Sequence, residues 1–191
     1  MNLRDYERES IRSFVQAAAD DGYLSGLLLD VGAGKQPYRD IAEQAGCDYI
    51  PFDMVGFPAN VSGEDLGPTD WPPSGQWDTI LCTQVVQYVS EPVAYWLRTM
   101  HWLLSKPFNG VEMHGHLVLT YPTNWPEVEA EDLHRFTKAG MERLLTSSGF
   151  EVVLHEPRGS IWDGAFETAP QKRIRATGEE FVLGYGVVAR A

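Results

Sequence analysis

Two rhythms of apolar and polar residues alternate along this chain, one near 3.6 and one suited to buried strands. Between Asp5 and Asp21, the residues Tyr6, Ile11, Phe14, Val15 and Ala18 recur on one helical face, and Gly22 stops the run. Leu27-Leu28-Leu29 is continuously apolar, as in a strand buried on both faces of a parallel sheet, and Asp30 ends it. Gly32, Ala33 and Gly34 form a turn. The following PYRDIAEQAG predicts a helix with Pro37 in its first turn and Gly46 just past its end. Further strands are predicted over roughly Asp48–Phe52, Thr79–Thr83, His116–Tyr121, Phe150–Leu154 and Phe181–Ala189. Val93, Trp96, Leu97, Met100 and Leu104 make a packing stripe on a helix whose cap and first turn are Ser90 and Pro92. Thr137 caps a helix from Lys138 to Ser148, which Gly149 ends.

Two stretches break the pattern. Met54 to Trp77 is rich in Pro, Gly, Asp and Ser and reads as loops around a short strand near Ala59 to Val61. Pro157 to Gly178 is irregular and carries Trp162 with the basic cluster Lys172, Arg173 and Arg175. The last two strands suggest a hairpin, so the sheet should end with one antiparallel member. The expectation is a single α/β domain over residues 1–191. It comprises an N-terminal helix (5–21), a half with the glycine turn (27–105) and a second half (106–191).

Composition narrows the partners. At 191 residues the chain can bury a continuous core, and 43% apolar with 22% charged residues is ordinary for a globular domain. A net charge of −12 opposes nucleic acid and anionic membrane, both of which need a basic footprint. The opening MNLRDYERES has no apolar core, so no leader is expected, and no run approaches the ~18 apolar residues of a membrane span. Cys47 and Cys82 lack C-x-x-C spacing and read as small buried hydrophobes, so the expected setting is the cytoplasm.

The chemistry centres on the glycine turn, because a strand, a glycine turn and a helix start together expose backbone N–H groups. A dinucleotide fingerprint would need glycine at position 37, where this chain has Pro37. A nicotinamide-dependent reductase loses support, and no GK[ST] phosphate loop is present. Asp53 ends the next strand, 19 residues beyond Gly34, where a carboxylate can accept hydrogen bonds from both hydroxyls of a ribose.

A hydrophobic-Asp-Val-Gly-Ala-Gly turn followed by that acid resembles the class I S-adenosylmethionine-dependent methyltransferases, of the type 11-like group, and the resemblance covers most of residues 27–155. It implies a Rossmann-like three-layer α/β sandwich whose seven-stranded, mostly parallel sheet has an antiparallel final strand. It also implies S-adenosyl-L-methionine as cofactor and a small-molecule acceptor. By resemblance, Gly32, Ala33 and Gly34 line the methionine and sulfonium end, Asp30 orients the amino group and Asp53 holds the ribose. Met54 lies along the adenine, with Asp65 and Leu66 at the adenine clasp. Thr83 and Gln84 pass the sulfur and face the acceptor. An apolar helix after the fourth strand corresponds to Gln84–Pro92, with Gln87-Tyr88 where relatives frequently have Glu-His. His134-Arg135-Phe136-Thr137 resembles a step before the next helix in part of the family. Tyr88 and His134 are thus the candidates for a general base, should the acceptor need one.

No metal is expected. His114 and His116 lack an acidic or cysteine partner nearby, and there is no G-x-S-x-G elbow. The Asn/Asp-Pro-Pro-aromatic motif of base-amino methylases is also absent. Oligomeric state is not legible. The alternative function is a non-catalytic relative that binds the nucleoside and acts as a partner or regulatory subunit.

Overall fold

Neighbouring residues along the central strands divide between two cores, and that division builds three layers. Leu29, Ile80, Cys82, Leu117, Leu119, Val187 and Ala189 belong to one core, while Leu28, Leu81, Val118 and Val188 belong to the other. The architecture is that of a computed structural model, which describes residues 3–53, 76–90, 92–105, 114–126, 132–160 and 182–191. In chain order the elements are α1 (Leu3–Asp20), β1 (Leu27–Val31), α2 (Arg39–Gln44), β2 (Asp48–Phe52), β3 (Thr79–Thr83), α3 (Val93–Leu104), β4 (His116–Pro122), α4 (Lys138–Ser147), β5 (Glu151–Ser160) and β6 (Val182–Arg190).

All six described strands join one sheet in the order β2-β1-β3-β4-β6-β5. The first four pair in parallel, and β6 runs antiparallel to both β4 and β5. The antiparallel member is therefore the last strand of the chain, as expected, but it lies inside the sheet and β5 forms the edge. The seventh strand expected near Ala59 to Val61 falls outside the described residues.

One core holds α3 and α4, through Trp96, Leu97, Met100, Met141 and Leu145, and the other holds α1 and α2, through Ile11, Phe14, Val15, Ala18 and Ile41. Two glycines of β6 leave room for close neighbours, the Phe14 ring of α1 at one and Arg158 of β5 at the other. A Cβ on Gly186 would lie 2.5 Å from the Phe14 ring, and one on Gly184 would lie 2.2 Å from the Tyr121 carbonyl oxygen and 2.6 Å from Arg158 Nη2. The opposite end of β1 is clamped by Asp78, whose Oδ2 accepts the Leu27 N–H at 2.7 Å.

Several boundaries differ from expectation for local reasons. α2 starts at Arg39, so Pro37 precedes the helix, because Gln36 takes a left-handed φ of 54° and donates back to the Ala33 carbonyl. The stretch Gln84–Pro92 is not a helix, and its described part holds a single 3₁₀ turn at Val86–Tyr88. α3 starts at Val93, with Pro92 at the cap position and no side-chain cap bond, so Ser90 is not its cap. β5 continues to Ser160, six residues past the predicted end, because pairing with β6 carries it across a bulge between Val152 and Leu154. Thr137 does cap α4, its hydroxyl accepting the Gly140 N–H at 3.1 Å.

Candidate active site

The glycine turn leaves β1 at the carboxyl edge of the sheet, where open α/β sheets bind ligands. Gly32 and Gly34 have φ of 75° and 49°, a conformation that costs an L side chain ~1–2 kcal/mol. The Gly32 and Ala33 N–H groups donate to the Phe52 carbonyl at 2.9 and 3.1 Å, and the Gly34 N–H donates to Asp53 Oδ2 at 2.9 Å. Thus the end of β2 holds the turn in shape. Space then separates the two glycines. A Cβ on Gly32 would lie 2.2 Å from Val85 Cγ2, whereas one on Gly34 would meet nothing within 4 Å among the described residues.

Asp30, one residue before Val31 at the strand end, is only 1% exposed. Its Oδ2 accepts a hydrogen bond from the Tyr49 hydroxyl of β2, and its Oδ1 has no partner among the described residues. Burial, reinforced by the charge of Asp53 and opposed by the Tyr49 bond, pushes the Asp30 carboxyl up to about 7. Tyr38, just ahead of α2, bonds Thr83 at the end of β3, and burial pushes its phenol up to about 12.

The loop after β3 closes the other side. Gln84 has a left-handed φ of 56°, held by three contacts. Its N–H donates to the Thr120 carbonyl at 3.0 Å, its Nε2 donates to Thr120 Oγ1 at 3.3 Å, and its carbonyl accepts Gln87 Nε2 at 2.9 Å. Gln87 is 3% exposed and its Oε1 has no partner among the described residues. The Gln87 carbonyl accepts the N–H groups of Leu133 and His134, which draws the segment before α4 against this loop. His134 Nε2 lies 3.0 Å from the Val89 carbonyl oxygen, so that nitrogen is the protonated one.

Asp30, Gly32, Ala33, Gly34, Asp53, Thr83, Gln84, Tyr88 and His134 therefore come from elements that meet at one edge of the sheet. Met54, Asp65, Leu66, Trp162, Lys172, Arg173 and Arg175 lie outside the described residues. His114 and His116 part company: His114 Nδ1 bonds the Ala191 carbonyl, while the His116 ring packs edge-on against Tyr23. Among the described residues no group of three metal-ligating side chains assembles.

Sequence reasoning did not single out Tyr49, Tyr38 or Arg158. Tyr49 is aligned with Leu28, two places before Asp30, so its contact is diagonal across the sheet and depends on the parallel register. Chemically, the edge offers a rigid turn with open space over one glycine. It also offers a carboxylate at the turn and two buried oxygens, of Asp30 and Gln87, without partners among the described residues.

A family profile described as a methyltransferase domain matches residues 3–155. No curated protein matches the chain in sequence. Among solved structures, an S-adenosylmethionine-dependent methyltransferase from Archaeoglobus fulgidus superposes with a TM-score of 0.64 at 13% identity over 94% of each chain. A 1,6-didemethyltoxoflavin-N1-methyltransferase from Burkholderia thailandensis, with bound 1,6-didemethyltoxoflavin and S-adenosylhomocysteine, gives 0.62 at 15% identity over 95% of this chain and 77% of that one. The magnesium protoporphyrin IX methyltransferase of Synechocystis PCC 6803, with bound S-adenosylmethionine, gives 0.60 at 15% identity over 98% and 81%. The chain belongs to the methyltransferase-domain family, and its sheet and helices have the fold of the class I S-adenosylmethionine-dependent methyltransferases.

Proposed function

We propose that this protein transfers the methyl group of S-adenosyl-L-methionine to a small-molecule acceptor by in-line displacement. The observation that carries this reading is the glycine turn. Gly34 leaves its outer side open, Asp53 sits against the turn, and the buried Asp30 Oδ1 lacks a donor. An amino-acid-bearing nucleoside carries a cationic amino group and ribose hydroxyls that suit the two carboxylates at the turn, and it brings no phosphate. Pro37, ahead of α2, leaves the pyrophosphate fingerprint of a nicotinamide enzyme incomplete.

When bound, the sulfonium supplies an electrophilic methyl carbon with a good leaving group. The chain's own task is positioning, which can be worth ~7–11 kcal/mol of the barrier. Gly32, Ala33 and Gly34 hold the methionyl part against the turn. Asp30, kept partly protonated by burial, accepts from the amino group through Oδ1 and shifts towards its charged form beside that cation. Asp53 keeps the turn in place through Oδ2 and holds the ribose, since each carboxylate oxygen has two lone pairs. Met54, Asp65 and Leu66 remain assigned to the adenine. Thr83 and Gln84 flank the sulfur.

A general base is the weaker part. His134 spends Nε2 on a backbone carbonyl, leaving Nδ1 alone for the proton, and Tyr88 is the other candidate. That tie also favours the second reading, a nucleoside-binding relative without catalysis. Two of the compared structures are methyltransferases named for small molecules, 1,6-didemethyltoxoflavin and magnesium protoporphyrin IX, which supports a small-molecule acceptor. The net charge of −12 supports the same choice over nucleic acid. Among the described residues no helix is long and apolar enough to cross a membrane, and both cysteines are buried and unpaired, in keeping with a cytoplasmic protein.

Incubation with methyl-labelled S-adenosylmethionine and a panel of small acceptors tests the proposal. Transfer of label above the no-enzyme rate is expected for at least one acceptor. Calorimetric binding of S-adenosylhomocysteine with no transfer to any acceptor would favour the non-catalytic reading. Binding of NAD in its place would overturn both.

A further inference from the structure

Arg158 has a burial and bonding pattern that the cofactor does not account for. It lies near the end of β5 and is 3% exposed. Its register partner on β6 is Gly184, whose missing Cβ leaves room for the guanidinium. Nη1 donates to Ser10 Oγ of α1 at 2.9 Å, Nε to the Tyr185 carbonyl at 3.4 Å and Nη2 to the Tyr121 carbonyl at 3.4 Å. A guanidinium has five N–H donors, so one on each terminal nitrogen is left without an acceptor among the described residues. None of the ion pairs among those residues includes Arg158. Glu7 of α1 acts on it only through space.

A buried charge without a pair costs several kcal/mol, so a cation kept there needs a reason. Burial pushes the Arg158 guanidinium down to about 10, which leaves it charged at neutral pH. The bond to Tyr121 puts the guanidinium over β4, two strands and roughly 10 Å from β1 and its glycine turn. That is the acceptor's side of the ligand edge. Thr83, Tyr38 and the charge of Arg158 are electrostatically in touch there, because Arg158 eases the ionisation of Tyr38.

We propose that Arg158 binds a carboxylate on the methyl acceptor, which makes the acceptor a small carboxylic acid lodged between α1 and the sheet edge. This rests on the methyltransferase reading and narrows its substrate class. The two remaining N–H groups suit the two oxygens of a carboxylate, a match that lysine cannot reproduce. Seating the anion also puts a countercharge in contact with Arg158, which Glu7 provides only through space.

Benzoate, with benzamide as its neutral counterpart, is titrated calorimetrically into the protein saturated with S-adenosylhomocysteine. Benzoate is expected to bind at least about tenfold more tightly than benzamide, and Arg158→Met to weaken benzoate by about tenfold to a hundredfold while leaving benzamide unchanged. Equal binding of the two probes, or benzoate binding that survives in Arg158→Met, overturns the proposal. A cofactor role is read separately by comparing S-adenosylhomocysteine with methylthioadenosine, which lacks the amino-acid part. Loss of the first alone in Arg158→Met would assign the guanidinium to the cofactor's carboxylate and overturn the proposal. Should that variant not fold by circular dichroism, Arg158→Lys carries the same comparison. Wild-type protein that fails to bind S-adenosylhomocysteine would overturn the methyltransferase reading, and benzoate titrated without it still reads Arg158.

Discussion

Asp53 and Asp30 are both carboxylates at the glycine turn, yet their surroundings give them opposite duties. Asp53 is half-buried, holds the Gly34 N–H and faces the proposed ribose. Asp53→Ala is expected to weaken S-adenosylhomocysteine binding by about 3 kcal/mol, on the order of a hundredfold, measured by calorimetry. Affinity within a factor of a few of wild type would move the ribose elsewhere. Asp30 is buried beneath the turn with Tyr49 as its hydrogen-bond donor. Tyr49→Phe removes that donor, so urea unfolding should show a loss of about 1 kcal/mol at pH 5, where Asp30 is neutral, and a larger loss at pH 8. An equal loss at both values would mean that the hydroxyl does not stabilise the carboxylate. The turn and Asp53 were legible because their spacing is local or fixed by one βαβ unit. Tyr49 and Arg158 were not, since what makes them matter is a neighbour on another strand.

At the scale of elements, the fit of α1 on the sheet depends on β6 having no side chain at two places. Gly186 admits the Phe14 ring and Gly184 admits Arg158, so one strand receives both the helix and the buried cation. Gly186→Ala should cost about 1–3 kcal/mol by overpacking against Phe14, and Phe14→Leu in the same chain should recover part of it. Additive losses in the denaturation of the double variant would show that the two sites do not touch. The apolar rhythm predicted the strands and α4 well, because buried strands and a Thr137 cap declare themselves locally. It did not predict that Gln84–Pro92 would hold only a 3₁₀ turn. Gln84 takes a left-handed conformation through bonds to Thr120 on the neighbouring strand, and apolar content cannot report such a contact. The end of β5 was missed for a similar reason. Pro157 and Gly159 read as loop residues, but pairing with β6 keeps that stretch extended.

Over the whole molecule, buried titratable groups pull stability in opposite directions with pH. The Asp30 carboxyl is raised by burial from its usual range near 4 to about 7. The folded state therefore binds its proton more readily, and this contribution is present below pH 4 and lost as pH rises towards and through 7. His101, His116 and His155 are each lowered by burial, so their contribution is full above about 6.5 and is lost as pH falls through their folded values. Asp30→Asn removes the first slope and leaves the second. Its melting temperature should rise more steeply between pH 5 and 7 than that of the wild type, and parallel profiles would contradict the assignment. The sheet order and the two cores follow from strand burial and the preference of sequential βα units for parallel pairing. The position of β6 between β4 and β5 does not, because a hairpin pattern fixes the direction of the last strand and not which neighbour it splits. All of these levels bear on the proposal that the nucleoside sits at the glycine turn. Amide resonances followed by NMR during titration with S-adenosylhomocysteine test that directly. The largest shifts are expected at Gly32, Ala33 and Gly34, with Tyr49 following; saturation that leaves those amides unmoved, or moves others in their place, would contradict it.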